Sequence, residues 1–576
     1  MRKLKITYLL ILITSISFSQ ETKIDTLKTE EISVVKPYTP KISDAFKVKS
    51  TPVTNASKSF QKEQINYRFF SIPVASTFMP TKGKAKGVVK APKERLYENY
   101  VMASYGNYVT PIFEAFVHTG DERYNDFGIL LNYHSSKGNI PDLLLNDNFS
   151  NTAIDLYYKQ FERDFDWKVK GGYKRDLYNY YGLPTNVTYN QNVIDAIDEK
   201  QIYNTFYLAG DINYDDSIFQ EAKAELSGFI DDYNSTEIRF IAQPKFNYPI
   251  ADNNINGDFL IDFLTGKFDE NYTIANKIKY SFLNLGLSPN FNLLNENTNV
   301  NIGAKIYYTF DLENSTNSFK IYPNITASYK IIDNIFILLA GVTGDLVQNT
   351  YKDFAAENPF ISPTINIKQT DNQYNAFIGA KGKLASNIGY NFKASYQSEK
   401  DKALYIQNQT QTDGTIIVNN AYEAGNSFGV VYDHLKTINI YGELNFEISK
   451  AFQITANANY SNYTNNVQLE AWNLPEIKAF ISAEYRIKNW FVGTKIFFNG
   501  KTKDYVIPFG ESPDNGVIIK NKSYLDLNFN GGYTFSNRLS VFAKINNAIG
   551  NNYQRFVNYP MQSFQVLGGV LYKFDI

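Results

Sequence analysis

The sequence predicts an all-β chain: a large transmembrane antiparallel β-barrel of about 22 strands over residues 96–576, behind a short extended N-terminal segment expected to lie in the periplasm. Three observations lead there. Apolar and polar residues alternate with a period of two after residue 95, no later stretch is apolar enough for a spanning helix, and the alternating segments are long.

Residues 1–20 open with Met1-Arg2-Lys3-Leu4-Lys5, continue through an apolar stretch from Ile6 to Ile13, and close on Ser17-Phe18-Ser19-Gln20. That is the order of a secretory signal, with cleavage expected near Ser19. A spanning helix needs about 20 apolar residues, more than this run supplies. The chain has no cysteine, which removes disulfides, thiolate metal sites, a Cys nucleophile and a lipidated N-terminal Cys from consideration.

Residues 21–95 differ from the rest. They hold 15 Lys or Arg against 7 Asp or Glu, with six prolines, a composition suited to an extended segment and poor in core-forming residues. Within them Phe69, Phe70, Ile72, Val74 and Phe78 form the apolar part of a stretch, Gln64 to Pro80, that is expected to occlude the lumen. Lys82, Lys84, Lys86, Lys90 and Lys93 follow, read as a periplasmic linker.

From residue 96 the period of two dominates. Ile438, Ile440, Gly442, Leu444, Phe446 and Ile448 alternate with Asn439, Tyr441, Glu443, Asn445 and Glu447. Phe452 to Ser461 and Leu539 to Ile545 repeat the pattern, giving one greasy and one polar face. A soluble sandwich also alternates, but this length would force it into several domains, and no Pro/Gly/Ser-rich boundary divides the region. Segments of about 10 residues or more match tilted strands crossing hydrocarbon, where soluble strands average nearer 5 to 6. The 44 Tyr and 43 Phe favour strands.

Connections are expected to alternate in length. Gly120-Asp121-Glu122-Arg123 and Tyr214-Asp215-Asp216-Ser217 are the short turns of the periplasmic end, and Asp176 to Lys200 and Gln407 to Asn426 are long outer loops. The final strand places Phe564, Val566, Gly568, Val570, Tyr572 and Phe574 on one face, with Ile576 in the same parity. Barrel-assembly machinery receives terminal strands of this kind, so that machinery and outer-membrane lipid are expected partners.

The C-terminal run Ile545-Asn546-Asn547-Ala548-Ile549-Gly550-Asn551-Asn552-Tyr553, then Tyr559-Pro560, then the strand ending Tyr572-Lys573-Phe574, resembles the close of TonB-dependent receptors, of the Bacteroidota type. Glu30, Glu31, Ile32, Ser33, Val34 and Val35, followed by Lys36-Pro37, look like the segment such receptors offer to TonB. An extended β-prone peptide suits strand addition to a periplasmic partner; the alternative is a solvated tether. Between Pro37 and Arg95 the chain is too short for that family's full plug. The resemblance implies a receptor or transporter-like barrel in the outer membrane, binding or passing a solute or peptide, with TonB or another periplasmic protein, and a surface lipoprotein, as partners. The missing plug keeps a second reading open, a scaffold or accessory subunit of an envelope-assembly or surface-protein complex.

Chemistry is sparse. His118, His134 and His434 are the only histidines and do not cluster in sequence, so a His triad or metal cluster is not expected. Asp252 to Gly257 opens like a calcium loop, but its twelfth position is Phe263, which points to an Asn-rich turn. No Gly-x-Ser-x-Gly and no phosphate loop is present. The 57 basic and 58 acidic residues give no electrostatic case for nucleic acid. No enzymatic activity and no cofactor are expected. Tyr178, Asn179, Tyr180 and Tyr181 are the candidate ligand contacts of an outer loop; the alternative is an aromatic girdle at the membrane boundary.

Overall fold

The computed structural model describes residues 97–576, apart from 122–123, 216, 251–252, 273–275 and 419. The signal-like stretch, Glu30 to Val35, Phe69 to Phe78 and the lysines from Lys82 to Lys93 lie outside the described residues.

The strands run β1 (Asn99–Gly106), β2 (Thr110–Asp121), β3 (Asn125–Ser136), β4 (Phe149–Phe161), β5 (Phe165–Asn179), β6 (Lys200–Tyr214), β7 (Phe219–Asp231) and β8 (Thr236–Ile250). Next come β9 (Asn253–Phe268), β10 (Ile278–Leu294), β11 (Thr298–Asp311), β12 (Thr316–Ile332), β13 (Phe336–Val347), β14 (Thr370–Ala385), β15 (Ile388–Gln407) and β16 (Phe428–Ser449). The chain ends with β17 (Phe452–Thr464), β18 (Ile477–Ile487), β19 (Trp490–Asn499), β20 (Thr502–Val506), β21 (Val517–Asn521), β22 (Tyr524–Thr534), β23 (Leu539–Asn546), β24 (Gln554–Phe556), β25 (Tyr559–Pro560) and β26 (Gln565–Phe574). Two short helices, α1 (Gln191–Ala196) and α2 (Tyr351–Glu357), sit in connections.

A single antiparallel sheet of 22 strands takes in all of these except the hairpins β20–β21 and β24–β25. It closes where β1 meets β26, from Asn99 opposite Phe574 to Gly106 opposite Leu567. Closure leaves the sheet no edge, the condition for placing strands in hydrocarbon. The expected strand number is met.

Alternation decides which side meets lipid. Ile438 and Ile440 are about half exposed, whereas Asn439 between them turns inward and donates to Asn459 Oδ1 at 2.7 Å and Ser461 Oγ at 2.9 Å. In β26, Val566, Val570 and Tyr572 stay exposed, and Ile576 after it keeps the register. So much outward apolar surface calls for hydrocarbon cover. The inner face is polar and largely self-satisfied. Arg239 makes two bonds to Asp262, at 2.9 and 2.8 Å, and Asn247, Asn256 and Asn290 form a ladder.

Connections alternate in length along much of the barrel, but β1–β2, β7–β8 and β11–β12 are joined by short turns at the long-loop end, and two loop bounds shift. Asp176 to Asn179 complete β5, and Gln407 completes β15, so those outer loops begin at 180 and 408. The Asn-rich turn read at Asp252 to Gly257 is corrected: Asn253 to Gly257 are strand, paired with Ile250 to Phe246, and the inward amide of Asn256 joins the ladder. Among the described residues no helix is long and apolar enough to cross a membrane.

Candidate functional site

The outer loops fold inward over the lumen and share one apolar core, which includes Tyr180, Tyr351, Phe354, Ile361, Tyr422, Phe428 and Tyr559. Tyr180 is fully buried; its hydroxyl donates to the Ile361 carbonyl at 2.8 Å, and Asn426 Nδ2 donates to the Tyr180 carbonyl at 2.6 Å. Tyr559 donates to the Asn426 carbonyl, and its ring stacks on Phe360 with centroids 3.6 Å apart. Gly182 is required beneath it, since a Cβ there would fall 2.4 Å from a Tyr559 ring carbon. Loops 180–199, 348–369, 408–427 and 547–564 thus become one cap.

Buried carboxylates fix the cap to the wall. Glu237 accepts the N–H groups of Tyr351 and Lys352 at 2.7 and 3.2 Å and the Tyr280 hydroxyl at 2.8 Å, where α2 begins with donors that lack helical partners. Asp231 accepts from Tyr351 Oη at 2.8 Å and from the Ser235 N–H at 2.7 Å. Asp433 takes the N–H groups of Val467 and Gln468 at 2.9 and 2.8 Å, holding loop 465–476. Asp504 on β20 accepts from Gln407 N–H at 3.2 Å and Asn473 Nδ2 at 3.0 Å; burial pushes its carboxyl up to about 7, against the pull of those donors.

Between cap and wall lies a cavity of about 650 Å³. Tyr178, Asn179 and Tyr181 line it, while Tyr180 stands behind them inside the cap core. These four side chains therefore face inward, and the girdle alternative does not hold. Tyr178 accepts from Asn151 Nδ2 at 2.9 Å, and Tyr181 donates to the Pro560 carbonyl at 3.0 Å. Burial drives the Tyr181 hydroxyl well above its usual range, so it stays a neutral donor.

Sequence reasoning missed the facing side of this cavity. Phe360, Lys495, Tyr553 and Arg555 belong to three other parts of the chain and meet here through closure and loop folding. Arg555 donates to the Glu357 carbonyl at 3.1 Å and lies 5.4 Å from the Phe556 ring centroid. The Tyr-Gln-Arg-Phe run from Tyr553 is the signal that was present, inside a stretch noticed only for its asparagines.

The histidines stay apart. His118 approaches Asp126 at 3.0 Å, His134 packs edge-on to Phe149, and His434 Nε2 lies 2.9 Å from Ser398 Oγ. Ser398 is 1% exposed and its single hydroxyl proton serves Gln373 Oε1 at 3.1 Å, which makes this a structural contact. No metal-holding group of acids and histidines is found among the described residues. Amides, rings and a few charges around an enclosed space are equipped to hold a solute by stacking and hydrogen bonding.

No family model matches the chain, and no curated protein matches it in sequence. Solved structures do share its fold. The FrpB iron transporter of Neisseria meningitidis superposes with a TM-score of 0.62 at 10% identity, over 83% of this chain and 82% of that one. The pyoverdine outer-membrane receptor FpvA of Pseudomonas aeruginosa, bound to pyoverdine, gives 0.60 at 12%, over 84% and 79%. The siderophore receptor PiuA of Acinetobacter baumannii gives 0.58 at 9%, over 84% and 82%. The shared architecture is that of outer-membrane receptor barrels.

Proposed function

We propose that the chain is an outer-membrane receptor or transporter-like barrel that binds a solute or peptide in the capped cavity and passes it inward without covalent chemistry. The observation that carries this reading is the cavity itself, which lies between the cap and the barrel wall and is lined by rings and amides. The likeness to an iron transporter and to siderophore and pyoverdine receptors makes an iron chelate the first solute to test. Glu30 to Val35 act as the TonB-contacting strand, and residues 21–95, through Phe69, Phe70, Ile72, Val74 and Phe78, close the lumen in place of a full plug.

Cells making the full chain, or a chain lacking Glu30 to Pro37 at equal outer-membrane level, are compared for uptake of iron-55 citrate and for growth under iron restriction. Equal uptake and growth would defeat the transport reading. Planar-bilayer conductance with and without residues 21–95 tests closure; two equally closed forms remove that role from the segment.

A second reading, a scaffold for a surface protein, draws on exposed apolar residues outside the 22 barrel strands: Val467 and Leu469 on loop 465–476, and Val517 and Ile518 on β21. Co-purification of a stoichiometric surface lipoprotein, with uptake unchanged by deleting Glu30 to Pro37, would favour it.

A further inference from the structure

We infer that one wall of the lumen, formed by β18, β19, β22, β23 and β26, is a binding track for an organic anion with a flat apolar body, beginning at Arg555 beneath the cap. This rests on the receptor reading above and names the solute class for it.

Register sets the order of the cations along this wall. Lys495 pairs with Asn528 and Lys544 with Asn530, one inward step apart, which is about 7 Å of strand. Arg486, opposite Phe491, and Lys573, opposite Tyr100, follow toward the short-turn end. Between them Met102, Phe491, Phe542 and Leu571 turn apolar surface into the lumen. They border a cavity of about 190 Å³ with Lys544, and Phe491, Phe542 and Leu571 continue into another of about 490 Å³ with Arg486 and Lys573.

Several lumen cations on other strands are neutralised. Arg239 is paired with Asp262, Lys305 with Asp345 at 2.6 Å, Lys320 with Asp371 at 3.2 Å and Lys245 with Glu221 at 2.8 Å. Among the described residues Lys495, Lys544 and Arg555 form no ion pair, and the nearby carboxylates do not serve them. Asp526 accepts from Tyr553 Oη at 3.0 Å, and Glu484 is in no salt bridge. Unpaired cations gathered along one wall of a cleft concentrate an anion, and the rings and aliphatic chains beside them hold its body. Lys544 Nζ lies 5.3 Å from the Phe542 ring centroid, so a cation and an apolar ring stand side by side on this wall.

The test is calorimetric titration of the full-length protein in detergent micelles with 1-naphthylacetate and its neutral counterpart 1-naphthylacetamide. The carboxylate is expected to bind at least tenfold more tightly. In the Lys495→Gln/Lys544→Gln double variant the ratio falls below threefold, while Lys305→Gln, at a neutralised site, leaves it unchanged. Heat-modifiable gel mobility confirms that each variant is a folded barrel. Equal binding of the two probes, no binding of either, or a ratio that survives the double variant overturns the anion assignment. Loss of iron-55 uptake on deleting Glu30 to Pro37 would still support the receptor reading, so the two fail separately.

Discussion

Glu237 on β8 accepts the backbone N–H of Tyr351, 114 residues further along the chain, at 2.7 Å. One buried carboxylate thereby ties the first turn of α2 to the barrel wall, and with it the cap loop 348–369. Replacing it by Ala strands the Tyr351 and Lys352 donors and the Tyr280 hydroxyl, each costing about 1 to 3 kcal/mol when buried unpaired. Glu237→Ala should make loop 348–369 cleavable by trypsin in the folded barrel, with Glu237→Gln intermediate because one acceptor oxygen survives. Equal resistance in all three proteins would show that Glu237 does not hold the cap.

Asp504 predicts a pH dependence of the cap. Burial raises its folded-state pKa to about 7, above its ordinary value near 3.8. A carboxyl raised on folding contributes stability that is complete below the lower value and is lost as pH climbs through the upper one. Hydrogen exchange of residues 502–521, corrected for intrinsic rates, should therefore be roughly ten- to a hundredfold faster at pH 8 than at pH 5. Asp504→Asn should flatten the difference, and a wild-type profile independent of pH would refute the assignment.

Ile440 and Asn439 are neighbours with opposite surroundings. An Arg at a lipid-facing midplane position of a barrel costs about 2 to 4 kcal/mol, falling toward the interfaces. Ile440→Arg should lower unfolding stability in lipid vesicles by roughly 2 kcal/mol, whereas Asn439→Arg should cost under half as much because its side chain enters the lumen. Equal losses would mean that the two faces are wrongly assigned.

Gly106 sits at the seam where the first strand meets the last. A Cβ there would fall 2.6 Å from the Val566 carbonyl oxygen and 2.7 Å from Leu567 Cγ. Backbone cannot yield as a flexible side chain does, so Gly106→Val should reduce the heat-modifiable, folded fraction in outer membranes by more than half. Gly228, whose Cβ would meet nothing within 4 Å, is the control, and Gly228→Ala should assemble normally.

Barrel and register were legible in the sequence because a closed sheet between lipid and water imposes one rule on every strand, and local alternation such as Ile438, Asn439, Ile440 is enough to state it. Strand ends were less so: Asp176 to Asn179 read as loop, since polar inward residues look like loop when the lumen is wet. One edge of the candidate cavity was found from Tyr178 to Tyr181, where rings and amides crowd together. Arg555, Lys495 and Phe360 were not, for each is unremarkable among its own neighbours in the chain.

The sequence by itself determined an outward apolar face and an inward polar one, consequences of hydrophobic periodicity over a few residues, and bounded the number of crossings only approximately. Only the tertiary structure decided that the outer loops fold back as a cap, which lumen cations are neutralised, and which segments line the cavity. Those depend on partners such as Glu237 and Tyr351 that are distant in the chain, and their pairing is selected by burial and hydrogen bonding in space, which no local pattern encodes.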